Sequence, residues 1–297
     1  MTYRFGVQLN PSAGDLPGIR ALARRADREG LDLLGVQDHP YAAGLADTFS
    51  LIATLLADTT QIRIFPDVAS LPLRGPGVIA KAAATLDLLS GGRFELGLGA
   101  GGFQKAITAM GGPAHTPGTA QAALEEGIEI IRAMWIPGTT VRVTGQHYTV
   151  DGIQAGPAPA HPVGIWLGSV GPRALAQTGR IADGWAAPIP SYLPYEKWRE
   201  SQDIIDRAAL DAGRSPSGIT RIAQLVGHIT DTPGDVTLQG AAPIRASARQ
   251  WAEVIAHLAT DVGFDSFVYW PEHADEAQIA AWTTDVVPAA RALLEKN

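Results

Sequence analysis

One pattern recurs along the whole chain: a short apolar run, a loop rich in glycine, proline and aspartate, and then an alanine-rich stretch with helical periodicity. Each apolar run is continuous instead of alternating with polar residues, which is typical of parallel strands buried on both faces. The runs lie at 4–9, 33–37, 62–70, 94–100, 164–170, 183–188, 219–229 and 264–270. Alternation of strand and helix indicates an α/β fold, and eight such units in 297 residues favour a (β/α)8 TIM barrel over an open sheet.

Two segments interrupt the repeat. Residues 141–150 alternate polar and apolar side chains around Thr144-Gly145, which predicts a small β-hairpin inserted after the fourth unit. Residues 231–247 are irregular and precede the seventh helix, so we expect a lid or binding loop on the carboxyl face of the barrel. No proline- or serine-rich linker divides the chain, and we therefore predict a single domain over 1–297.

Composition and charge exclude several functions. The net charge is −7 and no block of like charge is present, so we expect no nucleic-acid partner. The absence of cysteine excludes disulfides, thiolate metal sites and a cysteine nucleophile. The seven histidines form neither H-x-H nor H-E-x-x-H, which predicts no metal site. No apolar stretch has the length of a membrane span or a signal peptide, so we expect a cytoplasmic protein with no membrane partner.

The glycines of the stretch FELGLGAGGF, residues 94–103, allow two interpretations. Gly97, Gly99 and Gly102 fit G-x-G-x-x-G, which in a Rossmann unit follows the first strand and precedes an acid at the end of the second. Here the motif follows the fourth run, and the acids beyond it, from Glu125, lie in a helical pattern. In a barrel these glycines stand on the catalytic face, where they either let a flat ligand approach the backbone or permit tight packing.

Polar residues follow the second and third runs, at the strand ends where barrel enzymes place catalytic groups. Asp38 and His39 follow the second run. A histidine titrates near neutral pH, so His39 has the chemistry to donate a proton, accept one or bond a heteroaromatic ring; the alternative is a histidine that only caps the strand. Arg74 lies between prolines after the third run, where it either holds an anion or fixes the loop to a carboxylate.

The fifth run ends in the segment Gly168–Arg173, which opens a helix at Pro172. The free N–H groups of a helix N-terminus form a phosphate site. Ser169, Gly171 and Arg173 add a hydroxyl, close backbone approach and a positive charge. A capped helix with a surface arginine is the alternative, and the two interpretations are compatible.

Together these pieces resemble the luciferase-like flavin and deazaflavin oxidoreductases, the bacterial luciferase-like monooxygenase family, over nearly the whole chain. The motifs that carry the resemblance are Gln37-Asp-His39, Leu71–Pro76, Leu86–Gly101, Trp166–Ser169 and Arg180–Trp185. The resemblance implies a (β/α)8 barrel with a tricyclic cofactor across its carboxyl face, a bulge behind the ring that often contains a non-prolyl cis peptide, and frequent homodimerisation.

The resemblance also implies roles for named residues. His39 lies near the reactive edge of the cofactor, and Asp38 and His39 are the predicted catalytic pair. The residues predicted to contact the cofactor are Asp67, Val68, Ala69, Ser70, Gly99, Ala100, Gly101, Gly168, Ser169, Val170, Gly171 and Arg173. Gly102-Phe103 stands where the sugar-phosphate dehydrogenases of the family carry a glutamate.

The family uses either FMN or the deazaflavin F420, and the Asp-His pair favours F420. The leading hypothesis is therefore an F420-dependent oxidoreductase that moves hydride to or from a small organic substrate. One alternative is an FMN-dependent monooxygenase that works with a separate flavin reductase. A second alternative is a flavin-binding protein without turnover, and a third is a barrel hydrolase with Asp38 and Asp67 as paired acids.

Overall fold

A computed structural model describes residues 2–273 and 275–296. Its strands are β1 (Arg4–Leu9), β2 (Leu33–Val36), β3 (Arg63–Pro66), β4 (Ala69–Ser70), β5 (Leu96–Gly99), β6 (Thr140–Thr144), β7 (Thr149–Gln154), β8 (Ile165–Leu167), β9 (Gly184–Ala187), β10 (Thr220–Thr230), β11 (Ile244–Ser247) and β12 (Ser266–Pro271). Its α-helices are α1 (Leu16–Arg28), α2 (Thr48–Asp58), α3 (Leu71–Arg74), α4 (Pro76–Ser90), α5 (Gln104–Ala109), α6 (Pro117–Met134), α7 (Pro172–Ile181), α8 (Trp198–Asp211), α9 (Ala248–His257), α10 (Glu276–Ala281) and α11 (Val287–Leu294). The single-domain prediction for 1–297 stays a prediction, and it includes Met1, Ala274 and Asn297, which lie outside the described residues.

The predicted barrel is confirmed. Parallel pairing runs in the order β3-β2-β1-β12-β10-β9-β8-β5-β4, so that β1 lies between β2 and β12. At the other end of this path β4 pairs with β5, and Ile64 of β3 forms a parallel bridge with Phe94 just before β5. The nine-strand sheet is thereby nearly closed, and helices alternate with its strands along the chain.

The third predicted strand, 62–70, is split into β3 and β4 by a bulge at Asp67 and Val68, and the peptide bond between these two residues is cis. Neighbouring glycines make room for the bulge. A Cβ on Gly97 would collide with the Pro66 carbonyl oxygen, and a Cβ on Gly99 would lie 3.0 Å from a methyl group of Val68. Sequence periodicity does not report such an interruption, because the residues on both sides of it are buried and apolar.

The hairpin insertion is confirmed as β6 and β7, which pair antiparallel, with Val143 opposite Val150. The carboxylate of Glu126 in α6 accepts hydrogen bonds from the three turn N–H groups of residues 146–148. The prediction of an irregular segment through 247 is wrong at its carboxyl end, because β11 occupies its last four residues and extends the parallel ladder of β10. Ile244 and Ala246 are buried there, so this part of the segment is held by pairing and by burial.

Inward-facing residues change from apolar to polar toward the carboxyl ends of the strands. Leu33, Phe65 and Ile222 belong to a buried apolar cluster inside the barrel. Gly35 and Gln224 stand two residues further along β2 and β10, and thus on the same face, and Asp67, in the bulge after β3, contacts Gln224 there. The apolar cluster fills the lower barrel, and the polar layer lies directly beneath the face on which barrel enzymes bind their ligands.

Candidate active site

His39 and Tyr41 form a hydrogen-bonded pair in the loop after β2. The His39 Nδ1 atom lies 2.8 Å from the Tyr41 hydroxyl, and the two ring centroids are 5.6 Å apart. Burial lowers the pKa of His39 below its ordinary value, and Asp38 only partly opposes this. Burial, assisted by Asp38 and Tyr192, raises the pKa of Tyr41 to about 12. Both side chains are therefore mainly neutral at pH 7, and the tautomer of His39 decides which of them donates the hydrogen bond.

Tyr41 was not among the residues that sequence reasoning selected. Its only signal in the sequence is the tetrapeptide Asp-His-Pro-Tyr, in which Pro40 favours a turn and brings the two rings together. The proximity of the hydroxyl to Nδ1 depends on that turn geometry, which the sequence pattern alone does not specify.

Asp38 lies next to His39, and its side chain is fully buried. Its Oδ2 atom accepts a hydrogen bond of 2.8 Å from the backbone N–H of Ser70 and one of 2.6 Å from Arg74. A second nitrogen of Arg74 donates to Asp47 over 2.7 Å. Of the two sequence-based interpretations of Arg74, the structure thus shows loop attachment to a carboxylate. These contacts favour a positioning role for Asp38, and its catalytic role stays a prediction.

Asp67 projects into the polar layer of the barrel from the bulge. Gln224 Nε2 donates to its Oδ1 atom over 2.9 Å. With its amide nitrogen turned toward the carboxyl group, Gln8 donates to Oδ2 over 3.0 Å and to the Gly35 carbonyl oxygen over 3.1 Å. Burial raises the pKa of Asp67 to about 7, and the hydrogen bond from Gln224 opposes the shift. The contacts made by Asp38 and Asp67 are different, and they give no support to a pair of hydrolytic acids.

We expect Asp67→Asn to change how stability depends on pH. Because the pKa is raised, the folded protein holds a proton that the unfolded chain releases near its ordinary value of 3.8, so the free energy of unfolding decreases as pH rises from about 4 to about 7. Asparagine cannot ionise. The free energy of unfolding of Asp67→Asn minus that of the wild type should therefore be larger at pH 8 than at pH 5, by more than about 1 kcal/mol. Urea unfolding at both pH values measures this, with Asp203→Asn at an exposed position as the control; equal pH dependence of the wild type and Asp67→Asn would contradict it.

Val68 provides the surface between the ends of β5 and β8. A Cβ on Gly168 would lie 2.9 Å from a Val68 methyl group, and Gly99 makes the matching approach from β5. Gly101 has a φ of 86°, and a Cβ there would lie 2.6 Å from the Pro72 side chain. Ala69 is buried in β4, and Ala100 is half-buried against the core. The glycines of β5 therefore serve packing around the bulge, and the Rossmann interpretation is wrong because β5 is a barrel strand between β4 and β8.

The segment after β8 opens α7 as predicted. Gly171 adopts a φ of 78° and precedes Pro172, the first residue of the helix. The Ser169 hydroxyl lies 2.8 Å from the Thr178 hydroxyl inside the fold, so it faces α7. Val170 is exposed, and Arg173 is exposed with no ion pair to any described residue. The helix N-terminus and Arg173 are thus available to an anion, whereas the contact of Ser169 does not favour its predicted phosphate role.

A chain of ring contacts joins His39 to two aromatic side chains that were not among the predicted site residues. The Phe103 ring meets the His39 ring edge-on at 5.4 Å, and the Tyr192 ring meets Phe103 edge-on at 6.2 Å. Phe103 follows β5 and Tyr192 follows β9, so these contacts link three separate loops. Their positions depend on strand order in the closed barrel, which local sequence does not report.

Over residues 2–273 and 275–296, no group of three or more histidine, aspartate or glutamate side chains has the geometry to hold a metal ion. Within the same ranges, none of the helices combines the length and the apolar character needed to span a bilayer.

Relatives with assigned activities match over most of the chain. A glucose-6-phosphate dehydrogenase from Nakamurella multipartita, described as F420-dependent, is 30% identical and covers 98% of this chain and 97% of its own length. The pyrimidine monooxygenase RutA of Methylobacterium radiotolerans is 31% identical over 74% of this chain and 56% of its own length. Uncharacterized mycobacterial proteins match at 35% identity, and there the aligned 139 residues span only 46% of the relative.

The fold has close counterparts among solved structures. An F420-dependent secondary alcohol dehydrogenase, solved in complex with an F420-acetone adduct, superposes with a TM-score of 0.85 at 18% identity, covering 98% of this chain and 100% of that enzyme. The family model for luciferase-like monooxygenases matches residues 1–262. The resemblance inferred from the motifs is thereby confirmed, and the chain belongs to the luciferase-like monooxygenase family.

Proposed function

We propose that this protein is an oxidoreductase that uses F420 to transfer hydride to or from a small organic substrate. The observation that carries the proposal is the His39–Tyr41 pair, hydrogen-bonded over 2.8 Å in the loop that Asp38 joins to Ser70, because it supplies a group that can accept or donate the proton that accompanies hydride transfer. Similarity to an F420-dependent dehydrogenase over 98% of the chain supports the choice of cofactor.

The residues present fit a tricyclic cofactor with a phosphate. Asp38 Oδ1 and Ser70 Oγ are buried and have no hydrogen-bond partner among the described residues, so they offer polar contacts at the bulge. Val68 offers an apolar surface between the glycines of β5 and β8. The N-terminus of α7 and the Arg173 guanidinium offer an anion site. Together these groups would hold the ring system and the phosphate of the cofactor.

The chemistry divides between the cofactor and this chain. F420, when bound, supplies a two-electron hydride acceptor or donor. In the tautomer of His39 in which Nδ1 donates to the Tyr41 oxygen, Nε2 can accept the proton of a substrate hydroxyl, and the ring becomes an imidazolium. In the reductive direction that imidazolium gives its Nε2 proton to a substrate oxygen and returns to the neutral form, still donating from Nδ1 to Tyr41. Asp38 keeps the loop in place by joining the end of β2 to Ser70 and Arg74.

We expect Tyr41→Phe to lower turnover by roughly tenfold, because Nδ1 loses the partner that selects the tautomer. Cofactor affinity should be kept, since the phenyl ring still packs against His39 and Phe103. The measurement is the rate of F420 reduction by a panel of secondary alcohols, with Tyr3→Phe as the control, because Tyr3 packs against Phe267 at the amino end of β1, away from this face of the barrel. Equal losses in the two variants would contradict the role of the Tyr41 hydroxyl.

Arg173→Ala should weaken F420 binding by about 1–3 kcal/mol if the guanidinium meets the phosphate directly. Fluorescence titration of the purified variant measures this. Arg180→Ala is the matched control, because Arg180 lies near the other end of the same helix and pairs with Glu125. An unchanged dissociation constant for Arg173→Ala would place this arginine outside the cofactor site.

An FMN-dependent monooxygenase with a separate flavin reductase is the second candidate, and the match to RutA supports it. Anaerobic assays separate the two candidates. Reduction of F420 by an alcohol without oxygen supports hydride transfer, whereas substrate turnover that needs oxygen and reduced FMN supports monooxygenation. A protein that binds a flavin but shows neither activity would match the non-catalytic alternative.

A further inference from the structure

Three aromatic side chains form a continuous surface over His39. This aromatic wall consists of Tyr41 after β2, Phe103 after β5 and Tyr192 after β9. Phe103 stands at the centre, with its ring centroid 5.9 Å from that of Tyr41 and 6.2 Å from that of Tyr192. The same Phe103 ring meets His39 edge-on. The wall therefore borders the group that handles the proton.

The wall exposes aromatic surface that the rest of the fold does not explain. Phe103 is 45% exposed and Tyr192 is 56% exposed. All other phenylalanine, tyrosine and tryptophan side chains that the structure describes are buried or partly buried, whereas these two are exposed and contact each other. Exposed apolar surface that is concentrated in one place marks a binding site more often than a packing defect.

The positive charge next to His39 is already paired. The Arg74 guanidinium forms ion pairs with Asp38 and Asp47, so its charge is not free to bind an anionic ligand. An anion placed on the wall would lose hydration against negatively polarised ring faces. Lys105, in the first turn of α5, is exposed and lies two residues from Phe103, so its contribution has to be tested directly.

We propose that the aromatic wall is the substrate subsite and that it selects a neutral alcohol or ketone with an apolar ring or chain, in place of a sugar phosphate. The inference rests on the proposed hydride transfer. In the oxidative direction the carbinol C–H bond breaks and its hydride passes to F420, the O–H proton passes to His39, and the C–O single bond becomes a carbonyl. In the reductive direction the same atoms return. The apolar part of the substrate lies against Phe103 and Tyr192 while its oxygen faces His39.

Saturation-transfer NMR with selective irradiation of aromatic protons tests the subsite, on protein with and without F420. The probes are cyclohexanone and glucose 6-phosphate. We expect transfer to cyclohexanone in the wild type, a weakening of cyclohexanone affinity by at least about tenfold in Phe103→Ala, and no transfer to glucose 6-phosphate. Phe103→Glu should weaken cyclohexanone binding further. Leu89→Ala, at an exposed position on α4, controls for general effects, and circular dichroism checks that each variant is folded.

The outcomes separate this inference from the proposed function. Cyclohexanone binding by a protein that binds no F420 would support the subsite and reject the cofactor assignment. F420 binding without saturation transfer to cyclohexanone would overturn the subsite. The subsite would also be overturned if glucose 6-phosphate bound more tightly than cyclohexanone and Lys105→Ala abolished that binding. Unchanged cyclohexanone affinity in Lys105→Ala is the result expected if the wall selects neutral substrates.

Discussion

Replacing His39 by alanine is expected to lower turnover by about 10²–10⁴-fold, the usual contribution of a positioned acid or base. Cofactor binding should be largely kept, because the bulge and the α7 N-terminus do not include this side chain. Steady-state rates with F420 and a substrate alcohol, together with a cofactor titration of the same variant, measure both quantities. His257→Ala is the control, since that histidine lies on the exposed surface of α9.

The pH profile gives the same prediction a second readout. Burial lowers the pKa of His39, so the neutral side chain persists below the ordinary value of 6.5. The acidic limb of the pH profile for alcohol oxidation by the wild type should therefore have its midpoint below pH 6.5. This limb should be absent from the residual activity of His39→Ala. Unchanged turnover, or an unchanged acidic limb in the variant, would remove His39 from the reaction.

Replacing Asp38 by alanine is expected to have the largest effect on stability, about 3–5 kcal/mol, because it leaves the Arg74 charge in a site where its buried partner is missing. The Asp38 side chain is fully buried and that of Arg74 is only 14% exposed. The backbone N–H of Ser70 loses its acceptor in the same change. Urea unfolding with a linear extrapolation measures the loss.

The matched variants distinguish the buried pair from a general effect of losing a carboxylate. Asp47→Asn removes the half-exposed partner of the same arginine and should cost less than about 1 kcal/mol. The double variant Asp38→Ala/Arg74→Met removes both charges and should recover part of the stability that Asp38→Ala loses. A cost below about 1 kcal/mol for Asp38→Ala would show that the ion pair does not hold the loop.

The barrel was predictable because its signal is repeated. Eight buried runs, each followed by a helical pattern, constrain the topology even when single boundaries are uncertain. The break at Asp67 and Val68 was not derivable from the 62–70 run, because an interrupted buried strand and a continuous one have the same hydrophobicity. Strand β11 was missed for a different reason: its Ile-Arg-Ala-Ser sequence is short, and it is a strand only because β10 offers it an edge.

Site residues that directly follow a strand could be predicted from the sequence, and contacts between residues on different strands could not. His39 and the start of α7 were predicted from their positions along the chain. The hydrogen bond between Tyr41 and His39 depends on the turn geometry, and the contacts of Asp67 with Gln8 and Gln224 depend on the barrel register. The glycines of β5 were recognised as important, and the structure shows that Pro66 and Val68 occupy the space they leave. Homodimerisation stays a prediction.

The proposed binding of F420 to this face of the barrel is tested by titrating the purified protein in parallel with F420 and with FMN. Quenching of tryptophan fluorescence and the cofactor spectra report binding of each. We expect tight, saturable binding of F420 and much weaker binding of FMN, with the F420 affinity reduced in Arg173→Ala. Tight binding of FMN without binding of F420 would contradict the proposal, as would binding of neither.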